Sequence, residues 1–132
     1  MKFQYKKYGP FLRPVISIRL KHKEIVRDYE VLVDSGADVC IFDSEIGELL
    51  GIDILSGRPE KVTGVAGQSS VYFVHSVEVV VGGWPHTIEA GFMPHVAGAF
   101  NYGVVGQKGF FDNFIVKFDL LKEEVELKQR TK

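Results

Sequence analysis

Asp34 closes the apolar run Val31-Leu32-Val33 and is followed by Ser35, Gly36, Ala37 and Asp38. A carboxylate at that point is a group that can take or give a proton at the end of an apolar strand. The small residues behind it allow other backbone to come close. Asp, Ser and Gly also end strands and make turns, so the tripeptide gains meaning only from what accompanies it. Other reactive types are sparse. Ser35 has neither a Gly-x-Ser-x-Gly frame nor a histidine in a motif that would mark it as a nucleophile. Cys40, between Val39 and Ile41, is expected to be a buried structural thiol. His86 and His95 have no metal-site spacing and no cysteine or acidic cluster beside them. They are expected at a surface or interface, and neither a metal nor a cofactor is predicted.

Two further elements follow Asp34 in order: the glycine-bracketed Thr63-Gly64-Val65-Ala66-Gly67, and the apolar-apolar-glycine element Val104-Val105-Gly106. With these three in sequence, the chain resembles the retropepsin-like aspartic proteases over roughly residues 12 to 128. The resemblance implies that Asp34 is the catalytic carboxylate. Such chemistry needs two carboxylates about a hydrogen bond apart, one protonated and one ionised, to activate a water against a peptide carbonyl. The chain has one Asp in this context, so the second is expected from an identical copy in an isologous homodimer.

The same resemblance gives the neighbours their roles. Ser35 would support the paired loops, Gly36 would offer main chain to the substrate, and Ala37 would pack beside it. Asp38 would touch the substrate backbone or brace the interface. Gly64, Val65, Ala66 and Gly67 would form a flap over an extended peptide, while Val104, Val105 and Gly106 would lie beneath the catalytic loop. Viral members usually place Arg after the second glycine, where this chain has Gln107 and then Lys108. The interface brace is therefore expected to differ. A catalytically inactive dimerisation or peptide-binding module on the same fold is the alternative, and a monomeric β-barrel with Asp34 as a turn residue is a third.

The elements that must position these residues follow a period of two. Val15 to Leu20 and Val26 to Val33 read as strands joined through Lys21-His22-Lys23-Glu24. Asp43-Ser44 caps a short helix carrying Ile46, Leu49 and Leu50, with Gly51 as its terminator. Lys61 to Thr63 and Val71 to Val81 form a hairpin around the glycine tip, and Gly82-Gly83 turns the chain into a strand over Thr87 to Met93. Trp84 is expected to pack. Gly103 to Val105 is a short buried strand, Gly109 to Asn113 a helical turn, and Ile115 to Leu127 a closing hairpin. Phe110, Phe111 and Phe114 are expected to pack back onto the barrel. The predicted fold is all-β, a closed acid-protease-type β-barrel with one or two short helices.

The 132 residues fit one domain spanning 1–132. A formal charge of -1 offers no surplus for nucleic acid or an anionic membrane, and Lys2, Lys6 and Lys7 read as a solvated chain end. Lys128 to Lys132 reads likewise. The single cysteine rules out an intrachain disulfide and points to a reducing, cytoplasmic setting. Residues 1 to 10 lack the apolar core of a secretory signal, and no apolar run is long enough to cross a bilayer. The expected partners are a second copy and an extended peptide or unfolded protein substrate.

Overall fold

A computed structural model describes residues 1–63, 67–94 and 102–131. The first thirteen residues hold three short strands, β1 (Lys2–Gln4), β2 (Lys6–Tyr8) and β3 (Phe11–Arg13). Strands of three residues are too short to show a period, so the sequence reads them as a solvated end. Lys2 and Lys7 are exposed, but the segment is ordered and Lys6 is not free. Lys6 pairs with Glu30, and Arg13 Nη1 donates to the Tyr102 hydroxyl at 2.8 Å.

The main sheet uses β4 (Val15–His22), β5 (Ile25–Val33), β6 (Ile41–Asp43), β7 (Arg58–Thr63), β8 (Ser69–Val81), β9 (Trp84–Met93) and β10 (Gly103–Val105). Their order is β4-β5-β10-β6-β9-β8-β7, and a further β4–β8 pairing from Arg19↔Val80 to Lys21↔Glu78 brings the sheet round on itself into a barrel. β11 (Phe114–Asp119) and β12 (Glu124–Gln129) form the closing hairpin, and β1 adds to the free side of β12. Residues 128 and 129 are therefore strand rather than tail, and Arg130 donates its amide to the Asn113 carbonyl.

Alternation decides which side chains go inside. Ile16, Ile18 and Leu20 of β4 are buried while Ser17 and Arg19 between them are exposed, and Val77, Val79 and Val81 repeat the pattern on β8. Phe42 and Phe92 meet edge to face at 5.8 Å inside the barrel. Phe110 and Phe114 join the same core, as the sequence predicts, although residues 109–113 form turns rather than a helix. Helix α1 (Ser44–Leu49) starts where Asp43 accepts the Glu45 amide at 2.9 Å and stops at Gly51, whose φ of 79° only glycine adopts without strain. A 3-10 turn follows at Ile54–Ser56.

Two aromatic positions differ from expectation. Trp84 is 51% exposed, because it begins β9 straight after the Gly82-Gly83 turn, where no element covers it. His86 is half-buried: its ring stands edge-on to Phe114 at 5.0 Å, and its enclosed Nε2 has no hydrogen-bond partner among the described residues. Burial lowers its pKa, with Asp112 acting weakly in the other direction.

Candidate active site

The site is built where β5 ends. Val33 is buried and Asp34 is half-buried, while Ser35, Gly36 and Asp38 lie in solvent. β5 runs between β4 and β10 with Val31-Leu32-Val33 parallel to Gly103-Val104-Val105, so Val104 and Val105 lie directly alongside the strand that carries Asp34. The Val33 amide donates to the Pro14 carbonyl at 2.9 Å and the Asp34 amide to Val105 at 3.0 Å. Both sides of the strand end are thus fixed before the loop begins.

The loop then folds over its own carboxylate. Asp34 Oδ1 accepts the Gly36 amide at 2.9 Å, the local bond that Asp makes readily in turns, and the Ala37 amide returns to the Asp34 carbonyl at 3.2 Å. Oδ2 makes no hydrogen bond to a described residue. Residues 106–108 stitch the far side: the Gln107 amide donates to the Ala37 carbonyl at 2.8 Å and the Lys108 amide to Asp38 at 3.0 Å. Val39 bridges Lys108 in parallel register. Gly106 is required by this fit, since a Cβ there would lie 2.5 Å from the carbonyl oxygens of both Ala37 and Val39.

Gln107 answers the departure seen in the sequence. Its Nε2 donates to the Ser35 carbonyl at 2.9 Å, so the side chain braces the loop from within the same chain. This contact is exposed, and Gln107→Ala is expected to lower stability by about 0.5–1 kcal/mol, measured as a fall in urea midpoint with unchanged slope. An unchanged midpoint would show that the brace carries no weight.

Two buried side chains hold the backbone around and after the loop through hydrogen bonds that the sequence does not show. The Cys40 thiol is fully buried, accepts the Gly106 amide at 3.4 Å and donates to the Lys108 carbonyl at 3.5 Å. Burial pushes it up to about 11. The Tyr29 hydroxyl accepts the Asp43 amide at 3.1 Å beside Phe42, and burial pushes it up to about 12. Both are acids whose folded pKa exceeds the unfolded one. The unfolded chain therefore loses these protons first, and the stability they leave intact below pH 9 is lost as pH rises through about 11 and 12. The expected loss is roughly 2–3 kcal/mol for each group at full ionisation. Urea midpoints measured from pH 8.5 upward should fall, and Tyr29→Phe and Cys40→Ala should each flatten the slope.

Of the flap residues, Gly67 stands at φ 79° two residues before β8, while Gly64, Val65 and Ala66 lie outside the described residues, as does His95. β7 and β8 pair up to Thr63↔Ser69. Among the described residues no group of three or more His, Cys, Asp or Glu is placed to hold a metal ion. No helix among them is long and apolar enough to cross a membrane.

A mostly-β barrel with a lone helix and an Asp-Ser-Gly loop held on an apolar-apolar-Gly strand defines a class, that of the retropepsin-like aspartic proteases. The chain belongs to the aspartyl protease family, whose model matches residues 19–108. Its structure is similar to a retropepsin-like aspartic protease from Rickettsia conorii, with a TM-score of 0.69 and 15% identity over 96% of this chain and 89% of that one. It is also similar to the EIAV protease complexed with the inhibitor HBY-793, with a TM-score of 0.52 and 19% identity over 77% and 88% of the two chains. At these identities the likeness is one of fold. A search of curated protein sequences found no match.

Proposed function

We propose that the protein is an aspartic endopeptidase that works as a homodimer, with one Asp34 from each subunit. The observation that carries this reading is the state of the Asp34 carboxylate. One oxygen is anchored by the Gly36 amide, and the other makes no hydrogen bond to a described residue at the half-buried end of an apolar strand. A single acid so placed is half of a device. Across a two-fold axis the two would share one proton, because like charges a hydrogen bond apart cannot both ionise.

In the assembled site the ionised Asp34 takes a proton from a water held between the pair. The water oxygen attacks the carbonyl carbon of the scissile bond, while the protonated Asp34 donates to the carbonyl oxygen. The tetrahedral diol then collapses and the C–N bond breaks: the Asp34 that took the water's proton passes it to the leaving nitrogen, and the other Asp34 recovers a proton from a diol hydroxyl as the carboxyl product forms. Ser35 supports the paired loops, Gly36 and Ala37 offer backbone and close packing to the peptide, and Asp38 meets its main chain or braces the interface. Gly64 to Gly67 close over the substrate and exclude water. Val104, Val105 and Gly106 hold the loop from beneath. No cofactor is needed, and extended or unfolded segments in the cytoplasm are the proposed substrates.

Dimerisation makes the rate concentration-dependent. Cleavage of a quenched peptide library per mole of chain is expected to climb with protein concentration and to level off where sedimentation shows a dimer. Constant specific activity from a sedimenting monomer would overturn the homodimeric site.

A further inference from the structure

The hairpin of β2 and β3 lies against one face of β5, and the alternation of β5 says which. Val31 and Val33 point into the barrel, so Glu30 and Leu32 point out of it. Lys6 of β2 reaches Glu30 and, at 3.3 Å, Ser17 of β4, which puts the hairpin on that outer side. Lys6 stands opposite Arg13 and Tyr8 opposite Phe11, so these four side chains share the face of the hairpin turned to the sheet. Val15 and Tyr102 are buried there, although neither belongs to the cluster that fills the barrel. The outer face of β5 therefore has a small core of its own. Asp34 continues the alternation, since its amide turns to Val105 while that of Val33 turns to Pro14. Its carboxylate leaves the strand on the same face as Leu32.

One contact in this small core spans β5. Arg13 runs directly into Pro14, whose carbonyl takes the Val33 amide, and Tyr102 runs directly into β10, whose Val105 carbonyl takes the Asp34 amide. Arg13 Nη1 donates to the Tyr102 hydroxyl at 2.8 Å, and the guanidinium lies 5.8 Å from the centres of the Tyr8 and Phe11 rings. Tyr8 in turn meets Tyr102 edge-on at 5.2 Å. The two segments that hold the end of β5 are thus tied to each other as well as to β5. The donor in that tie is charged, which makes it stronger than a neutral pair of the same length.

We propose that Arg13 is a positioning residue for Asp34, acting through Tyr102 to keep β4 and β10 from spreading around the end of β5. This rests on the homodimeric protease reading above and deepens it. The two-fold axis makes the setting exacting: a shift of β5 in one subunit is repeated in the other, so both carboxylates move. Two carboxylates share a proton only at close range, and the spread between their apparent titration steps shrinks as they separate. Loosening the tie therefore acts on the chemistry and its pH range, and leaves peptide binding nearly as it was.

The test is the pH profile of peptide cleavage by the full chain, at a concentration where it sediments as a dimer, with kcat and KM separated at each pH. Arg13→Ala and Tyr102→Phe should each lower kcat about tenfold with KM within about twofold, less than the roughly hundredfold that a misplacement of about 1 Å can cost. In both, the acidic and alkaline limbs of the kcat/KM bell should draw together by about one pH unit. Arg13→Lys, which keeps a donor, should recover part of the loss. The double variant R13A/Y102F should do no worse than either single one, since both break the same tie. Tyr102→Phe keeps the packed ring, so it reads the tie even where Arg13→Ala fails to fold. Bells of wild-type width in the folded single variants, or losses that simply add in the double variant, would overturn the positioning role while the protease stands. No cleavage by wild type at any pH would overturn the protease reading, and this role with it.

Discussion

Replacing Asp34 with Asn is expected to reduce peptide cleavage by at least about 10³-fold, because the amide can neither take a proton from water nor share one with its twin. Its shape is nearly that of the acid, and its oxygen can still accept the Gly36 amide that Oδ1 accepts now. The loop should therefore survive, with sedimentation and thermal midpoint close to wild type. Mixing gives a second readout. With free subunit exchange, an equal amount of D34N should leave about half of the wild-type activity, since only about a quarter of the dimers then hold two acids. A D34N protein that cleaves as wild type does would end the assignment of Asp34, and undiminished activity in the mixture would end the sharing of one site by two chains.

Gly106→Ala carries the largest expected loss of stability, roughly 3 kcal/mol, at the upper end of what overpacking a tight site costs. The added methyl meets two carbonyl oxygens at 2.5 Å, those of Ala37 and Val39. These are backbone atoms, so no rotamer change relieves them. Relief requires the 37–39 segment to move away from residues 105–108, which breaks the bonds from Gln107 to Ala37 and from Lys108 to Asp38. Asp34 moves with its loop, so activity should fall further than the folded fraction does. A variant with a wild-type urea midpoint and full activity would show that the strand beneath the loop does not fix it.

The long strands were legible because their side chains alternate and face one core. Helix α1 was legible because its cap residue, its apolar positions and its terminal glycine agree. Pairing was not. Nothing in Gly103-Val104-Val105 states that it lies parallel to Val31-Leu32-Val33, because three residues of a short crossing strand carry no record of their neighbours. Strands β1 to β3 were missed for a related reason. β1 is held by Glu124 to Glu126, distant in sequence, while β2 and β3 pair with each other but are three residues each, too short to show a period. At the candidate site three motifs in order, through the family resemblance they carry, singled out Asp34 and its loop. The bracing amide of Gln107 and the two hydrogen bonds of the Cys40 thiol depend on contacts across some 70 residues of chain, which no spacing rule encodes.

β8 is shared unequally along its length. Its pairing with β9 begins at Phe73↔Phe92, whereas its pairing with β7 continues outward through Tyr72, Val71 and Ser70 to Ser69. Four residues of a two-stranded ribbon, about 13 Å at the usual rise, therefore overhang the barrel as a cantilever clamped at Phe73. Load applied at its far end is felt as bending at the clamp, beside Tyr72, and leaves the beam inside the barrel wall undisturbed. Amides on the overhang should exchange with deuterated solvent well before those from Val74 to Val81, and a captive peptide should slow the outer set while leaving the inner set as it was.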